Sequence, residues 1–286
     1  MRWYAASRWR RRTALIWATV LSGSIAASGG EAQVAADSAS PAGHGEALVT
    51  RSDAWVLGGF AIAATVAFPN DRHLASSFRR GDVQDNRTLR DAAALFRGVG
   101  QPGVVVGGVS AWALGRLTHR PVLAATGLRV TEAIVVAAGL TSVGKFAAGR
   151  ARPATTDDRD PYDFRWWRGT RQGYTSMPSG HTSAAFAAAS ALAGDWRRFA
   201  PGSARYAVPA LYSGAALVGL SRMYHDGHWA SDVVVGAALG ALSGRVVGRW
   251  GRAHADNRVQ RWLAPVALHS SGGEGLGVGL SFVREW

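Results

Sequence analysis

Six apolar segments, at 54–68, 102–117, 122–146, 182–196, 206–220 and 229–247, dominate the middle of this 286-residue chain. All six are rich in small and aliphatic residues, and helices that carry small residues can bring their backbones close together. The fold expected is all-α, a bundle of about six helices, with polar loops at 69–97 and 147–180. No internal repeat is visible. Several segments are only about 15 residues long, short of the roughly 20 that cross a bilayer. A mean hydropathy of 0.00 is low for a protein with six spans. Against that, Trp55, Trp196, Trp229 and Trp250 lie near segment ends, with Trp112 within two turns of one. An aromatic belt at a membrane surface would place them there, and so would an ordinary core and rim.

The flanks differ from the middle. Arg2, Arg8, Arg10, Arg11 and Arg12 precede a short apolar run from Thr13 to Ala27, with small residues beyond it. Residues 1–30 therefore read as a secretory signal peptide or an uncleaved amino-terminal anchor, and either directs the chain to an envelope membrane. Residues 31–53 are polar and small and read as a linker, 54–250 as the helical domain, and 251–286 as a tail. Within the tail, apolar residues at 263–268 and 276–282 flank a Gly-rich stretch, the pattern of a short C-terminal β-hairpin. If the signal is cleaved and all six segments span, the loop from Lys145 to His181 faces the cytoplasm.

The chain has no cysteine, which excludes disulfides, zinc–thiolate sites and a thiol nucleophile. Its net charge of +13 favours anionic partners such as membrane surfaces or phosphorylated substrates. The arginines are scattered and no nucleic-acid-binding motif is present, so nucleic acid is not expected as a partner.

Among the 32 basic side chains only Lys145 is a lysine. Arg152 and Pro153 follow it after six residues. Downstream stand Pro178-Ser179-Gly180-His181, then Ser221-Arg222, then His228 and Asp232. These residues sit at the ends of the third to sixth segments, which lie on one face of an up-and-down bundle. Lys145, Arg152 and Arg222 supply three positive charges for the oxygens of a phosphate. Ser179 and Gly180 precede a helix, where backbone N–H groups and the Ser179 hydroxyl can donate to the same oxygens. His228 and Asp232 are four apart and share a helical face. Asp232 is expected to accept from Nδ1 of His228, leaving Nε2 to attack phosphorus. His181 is placed to protonate the leaving oxygen and then to activate water.

The three motifs resemble the signature of the type-2 phosphatidic acid phosphatase superfamily, and all eleven signature positions match. The superfamily includes bacterial lipid phosphatases, undecaprenyl-pyrophosphate phosphatases, soluble class A acid phosphatases and vanadium haloperoxidases. The resemblance covers about residues 54–250. It implies a helical bundle and metal-independent hydrolysis of a phosphomonoester or pyrophosphate through a phosphohistidine. By this match Lys145, Arg152, Ser179, Gly180 and Arg222 bind phosphate, His181 is the acid/base, His228 the nucleophile and Asp232 its partner. No cofactor is expected, although vanadate would fit the pocket as a phosphate mimic.

The expected substrate is a phosphorylated lipid, of the phosphatidic acid, phosphatidylglycerol phosphate, undecaprenyl pyrophosphate or lipid A type. A soluble periplasmic acid phosphatase acting on small phosphoesters is the alternative. A vanadium-dependent haloperoxidase and a non-catalytic binding protein are weaker ones. The expected location is the inner membrane of a bacterial-type envelope, or the periplasm if the helices do not span. His225 lacks an Asp four residues on and reads as a loop residue. The acidic run at 157–160 reads as solvated rather than metal-binding. Tyr162, Phe164, Trp166, Trp167 and Tyr174 alternate with arginines. They could cover the site, meet lipid headgroups or pack on one another.

Overall fold

The computed structural model describes residues 47–155, 160–167 and 173–254. Eight α-helices occupy them: α1 Arg51–Phe78, α2 Gly81–Gln84, α3 Arg87–Gly98, α4 Val104–Leu117, α5 Pro121–Ala148, α6 Gly180–Phe199, α7 Pro201–Tyr224 and α8 Ala230–Ala253. A π-helical turn, Val99–Gly103, joins α3 to α4. No strand occurs among the described residues, so the chain is all-α there. The expected amino-terminal signal and C-terminal hairpin lie outside the described residues.

Each apolar segment forms a helix, and most helices run past the apolar stretch into polar flanks. Local chemistry sets their ends. Pro121 and Pro201 open α5 and α7, where a missing N–H costs nothing. At the end of α5, Gly149 adopts a left-handed conformation (φ 52°) and donates its N–H to Lys145 O. Asp53 accepts from Thr50 N at 2.7 Å at the start of α1, and from Arg245 Nε and Arg249 Nη2 of α8. One buried carboxylate thus caps a helix and ties it to the last one.

The polar stretch at 69–97 is not a loop. Helix α1 continues through Pro69 to Phe78, and Asn70 Nδ2 donates to Val66 O at 2.8 Å beside the proline. Helix α3 starts at an Asn86 cap, whose side chain accepts from Leu89 N at 3.1 Å. It packs on α7 through Phe96, while Val99 just beyond it joins the same cluster around Ala215 and Val218.

Helix α6 is the centre of the bundle and touches α5, α7 and α8. Its core is largely alanine: Ala133, Ala137, Ala187 and Ala193 are fully buried. Close approach makes up for small side chains. A Cβ added at Gly240 of α8 would meet Ser183 O and Ala187 N of α6. Dispersion between backbones replaces interdigitating side chains at this seam.

Among the described residues three helices, α1, α5 and α8, are long and apolar enough to cross a membrane. Ile62, Val66, Val135 and Val143 are exposed along two of them. The tryptophans divide: Trp55 is exposed, whereas Trp229 is buried and donates Nε1–H to Ala151 O at 2.9 Å. Trp229 is therefore a core residue and no part of an aromatic belt.

Candidate active site

The ends of α5 and α7 and the starts of α6 and α8 converge, with the 149–179 connection laid across them. Lys145, in the last turn of α5, donates from Nζ to Thr175 O at 2.5 Å. Arg152 donates from Nη2 to Thr175 Oγ1 at 3.0 Å. Both cations act electrostatically on His228, and Lys145 and Arg222 act on His181. All eight expected site residues therefore gather in one place. Gly180 lies close among them, since a Cβ there would be in van der Waals contact with Gln101 Oε1 at 3.6 Å and Lys145 Cε at 3.9 Å.

The histidine geometry differs from expectation in one respect. His228 Nδ1 lies 2.6 Å from Ser176 O and 3.9 Å from Asp232 Oδ2. A carbonyl only accepts, so Nδ1 carries the hydrogen and Nε2 keeps its lone pair. The tautomer expected for a nucleophile is present, but its direct orienter is Ser176. Asp232 is already engaged. Its Oδ1 accepts from Arg150 Nη1 at 2.7 Å, and its Oδ2 accepts from Ser176 Oγ at 2.5 Å and Trp229 N at 2.9 Å. Asp232 thus fixes Ser176, and Ser176 fixes the imidazole.

A second difference concerns the anion cradle. Ser179 N, expected to face phosphate, donates to Asp232 O at 3.0 Å. Ser179 Oγ accepts from Thr182 Oγ1 at 2.9 Å and retains its own hydrogen to donate. The amides of Gly180 and His181 open α6 without intrahelical acceptors, as helix starts do. They are the backbone donors left for an anion.

Burial, partly offset by Asp232, pushes His228 down to about 4. Burial, then the charges of Arg222, His228, Arg97 and Lys145, pushes His181 down to about 4. Burial, then Arg97 and Arg152, lowers Arg222 to about 10, and burial also lowers Arg152. The buried Arg222 Nε has no hydrogen-bond partner among the described residues. A polyanionic ligand would relieve the repulsion among these cations.

Arg150 escaped the sequence reading. Its side chain is fully buried and binds two carboxylates, Asp232 at 2.7 Å and Asp71 at 2.7 Å. Its Nε donates to Pro161 O, and Phe68, Phe164 and Trp229 surround its guanidinium. Asp71 in turn accepts from Ser231 N and Oγ. The signal lay inside the spacer of the first motif, where an arginine beside two apolar neighbours was left unassigned. His225 is a loop residue, with Nδ1 against Ser221 O at 2.7 Å.

The fold and site define a helical-bundle protein with a cationic pocket around two neutral histidines. Residues 126–255 match the family model of the PAP2 superfamily. This stretch contains all eleven signature positions. Over 112 residues, 39% of its length, the chain is 37% identical to the lipid A 1-phosphatase of Porphyromonas gingivalis. The chain spans 20% of the length of that relative. A solved structure, a transmembrane PAP2-type phosphatidylglycerolphosphate phosphatase from Bacillus subtilis, aligns over 68% of this chain and 98% of its own. The identity there is 19% and the TM-score 0.33.

Proposed function

We propose that the chain is a phosphatase that removes phosphate from a lipid phosphomonoester or diphosphate through a phosphohistidine. The observation that carries this reading is the 2.6 Å contact from His228 Nδ1 to Ser176 O, which leaves Nε2 as a lone-pair nucleophile among Lys145, Arg152 and Arg222. Nε2 attacks phosphorus and forms the N–P bond. The P–O bond to the leaving group breaks, and that oxygen takes a proton from His181, which acquires it when the substrate's phosphate dianion binds beside it. His181, now neutral, accepts a proton from water. The water oxygen attacks phosphorus, the N–P bond breaks, and phosphate and free His228 are regenerated. The three cations and the Gly180 amide stabilise charge on the equatorial oxygens in both steps. The proposed chemistry runs on protein groups alone and needs no metal.

A lipid substrate is supported by the apolar lengths of α1, α5 and α8 and by the similarity to a lipid A 1-phosphatase. The proposed location is the inner membrane of the envelope, with the pocket at one end of the bundle.

The test is a panel of lipid phosphates and small phosphomonoesters, assayed on detergent-solubilised protein with His228→Ala as control. Acid-labile, alkali-stable labelling from a 32P-labelled substrate would identify the phosphohistidine. Turnover of small esters alone would overturn the lipid reading. Activity retained by His228→Ala would overturn the mechanism.

A further inference from the structure

One wall of the pocket comes from a segment outside the signature motifs, the end of α3 and the π-helical turn after it. Phe96 and Val99 pack on Ala185, Ala189, Ala215 and Val218 of α6 and α7, which anchors this segment beside the site. A Cβ at Gly100 would lie 3.0 Å from His181 Cδ2, so the turn runs against the acid/base histidine. Gln101 Oε1 reaches toward Gly180. One helical turn before Gly100 stands Arg97, exposed, in the last turn of α3, and without a carboxylate partner among the described residues. It is close enough to repel both Arg222 and His181.

Charge balance says what this extra cation is for. Arg150 with Asp71 and Asp232 makes a buried group of net charge minus one. Lys145, Arg152 and Arg222 face it, and the pocket as a whole carries two positive charges. One phosphate dianion neutralises it. Arg97, in the segment that runs against His181, adds a charge that a single phosphate does not need.

We infer that Arg97, with Gln101 beside it, forms a leaving-group subsite for a second anionic group, a phosphate carried by the substrate next to the one being cleaved. This rests on the phosphatase reading above. The second phosphate is either bonded directly to the scissile one, as in an alkyl diphosphate, or borne elsewhere on the leaving group, as in a sugar bisphosphate. A cation in the last turn of α3 also suits the helix dipole, and that purely structural role makes no distinction between substrates.

The experiment compares wild type, Arg97→Ala and Arg97→Lys, as full chains in detergent, on dodecyl phosphate, dodecyl diphosphate and a hexose bisphosphate. The readout is kcat/KM on each doubly phosphorylated substrate divided by that on dodecyl phosphate. Arg97→Ala is expected to lower this ratio about tenfold, the order of one charge-assisted hydrogen bond, through KM. Arg97→Lys should restore most of it. The substrate whose ratio falls identifies where the second phosphate sits. An unchanged ratio on both, or an equal loss on all three substrates, overturns the subsite. Calorimetric binding of inorganic pyrophosphate and orthophosphate decides it independently of turnover. Preference of wild type for pyrophosphate, lost in Arg97→Ala, supports the subsite even if no substrate is hydrolysed and the phosphatase reading fails. Absence of that preference in wild type overturns it.

Discussion

Arg150 Nη1 and Asp232 Oδ1 lie 2.7 Å apart, and neither side chain reaches solvent. The same guanidinium holds Asp71 at 2.7 Å, so one cation serves two buried carboxylates from α1 and α8. Removing it would strand both charges. Arg150→Met should destabilise the protein by about 3–5 kcal/mol, the order seen when one partner of a buried pair is lost. Arg150→Lys should recover little, because an ammonium cannot reproduce the fork that spans Asp71, Asp232 and Pro161 O. Thermal unfolding in detergent checks this. A melting temperature unchanged in Arg150→Met would refute the role.

Ser176 carries the link from Asp232 to His228. Its hydroxyl meets Asp232 Oδ2 at 2.5 Å and its carbonyl meets His228 Nδ1 at 2.6 Å. Ser176→Ala keeps the carbonyl but loses the restraint on it, a hydrogen bond to a charged group of about 1.5–3 kcal/mol. Activity should fall at least about tenfold, less than in His228→Ala. Steady-state kinetics would show the loss in kcat more than in KM, since the nucleophile is misaimed while the phosphate cations stay in place.

The helices and the signature residues were legible because both leave local marks. Apolar runs of small residues announced six helices, and the eleven signature positions were recognisable at their spacings. What escaped depended on the third dimension. Asp71 meets Ser231 across 160 residues of chain. The acceptor for His228 is a backbone carbonyl, and every residue has one, so no side chain points to Ser176. The 69–97 stretch was read as loop because a proline and many charges obscure a helix that packing on α7 and α8 sustains. Arg97 belongs to that stretch and was missed with it.

Lys145 sits where a compact cation fits. Its Nζ meets Thr175 O while Arg152 takes Thr175 Oγ1, and a Cβ at Gly180 would already touch its Cε at 3.9 Å. A guanidinium is planar and wider, and would spread into the space left for phosphate. Lys145→Arg should therefore lower kcat/KM by at least about tenfold, equivalent to 1.4 kcal/mol or more. The melting temperature should stay close to wild type. Full activity in this variant would show that a point charge is not required.

His181 and His228 are both held down to about 4, so both are neutral at neutral pH before an anion binds. A bound dianion favours the imidazolium form and raises both values. Binding then takes up protons, and by linkage a dianion binds more tightly as pH falls from the raised values toward about 4. Sulfate stays dianionic through this range and isolates the effect. Its affinity, measured by calorimetry, should rise with falling pH. His181→Asn should remove one of the two protons taken up and flatten the dependence. Sulfate binding independent of pH between 7 and 4 would contradict the assignment.

Two glycines in long helices should respond oppositely to the same substitution. Alanine is worth about 1 kcal/mol over glycine inside a helix when nothing obstructs the methyl group. Gly139 of α5 is exposed, with nothing within 4 Å of an added Cβ, so Gly139→Ala should stabilise by up to that amount. At Gly240 of α8 the methyl would collide with Ser183 O, Ala187 N at 2.9 Å and Phe186 Cβ at 2.9 Å, two of them backbone atoms. Overpacking of this kind costs about 1–3 kcal/mol and outweighs the propensity gain. Helix α8 would have to move away from α6, carrying Asp232 from Ser179 N, which donates to its carbonyl. Gly240→Ala should therefore lower both melting temperature and activity, while Gly139→Ala raises the first and spares the second. Parallel melting curves and assays of the two variants test whether the α6–α8 seam sets the site geometry, and equal behaviour would show that it does not.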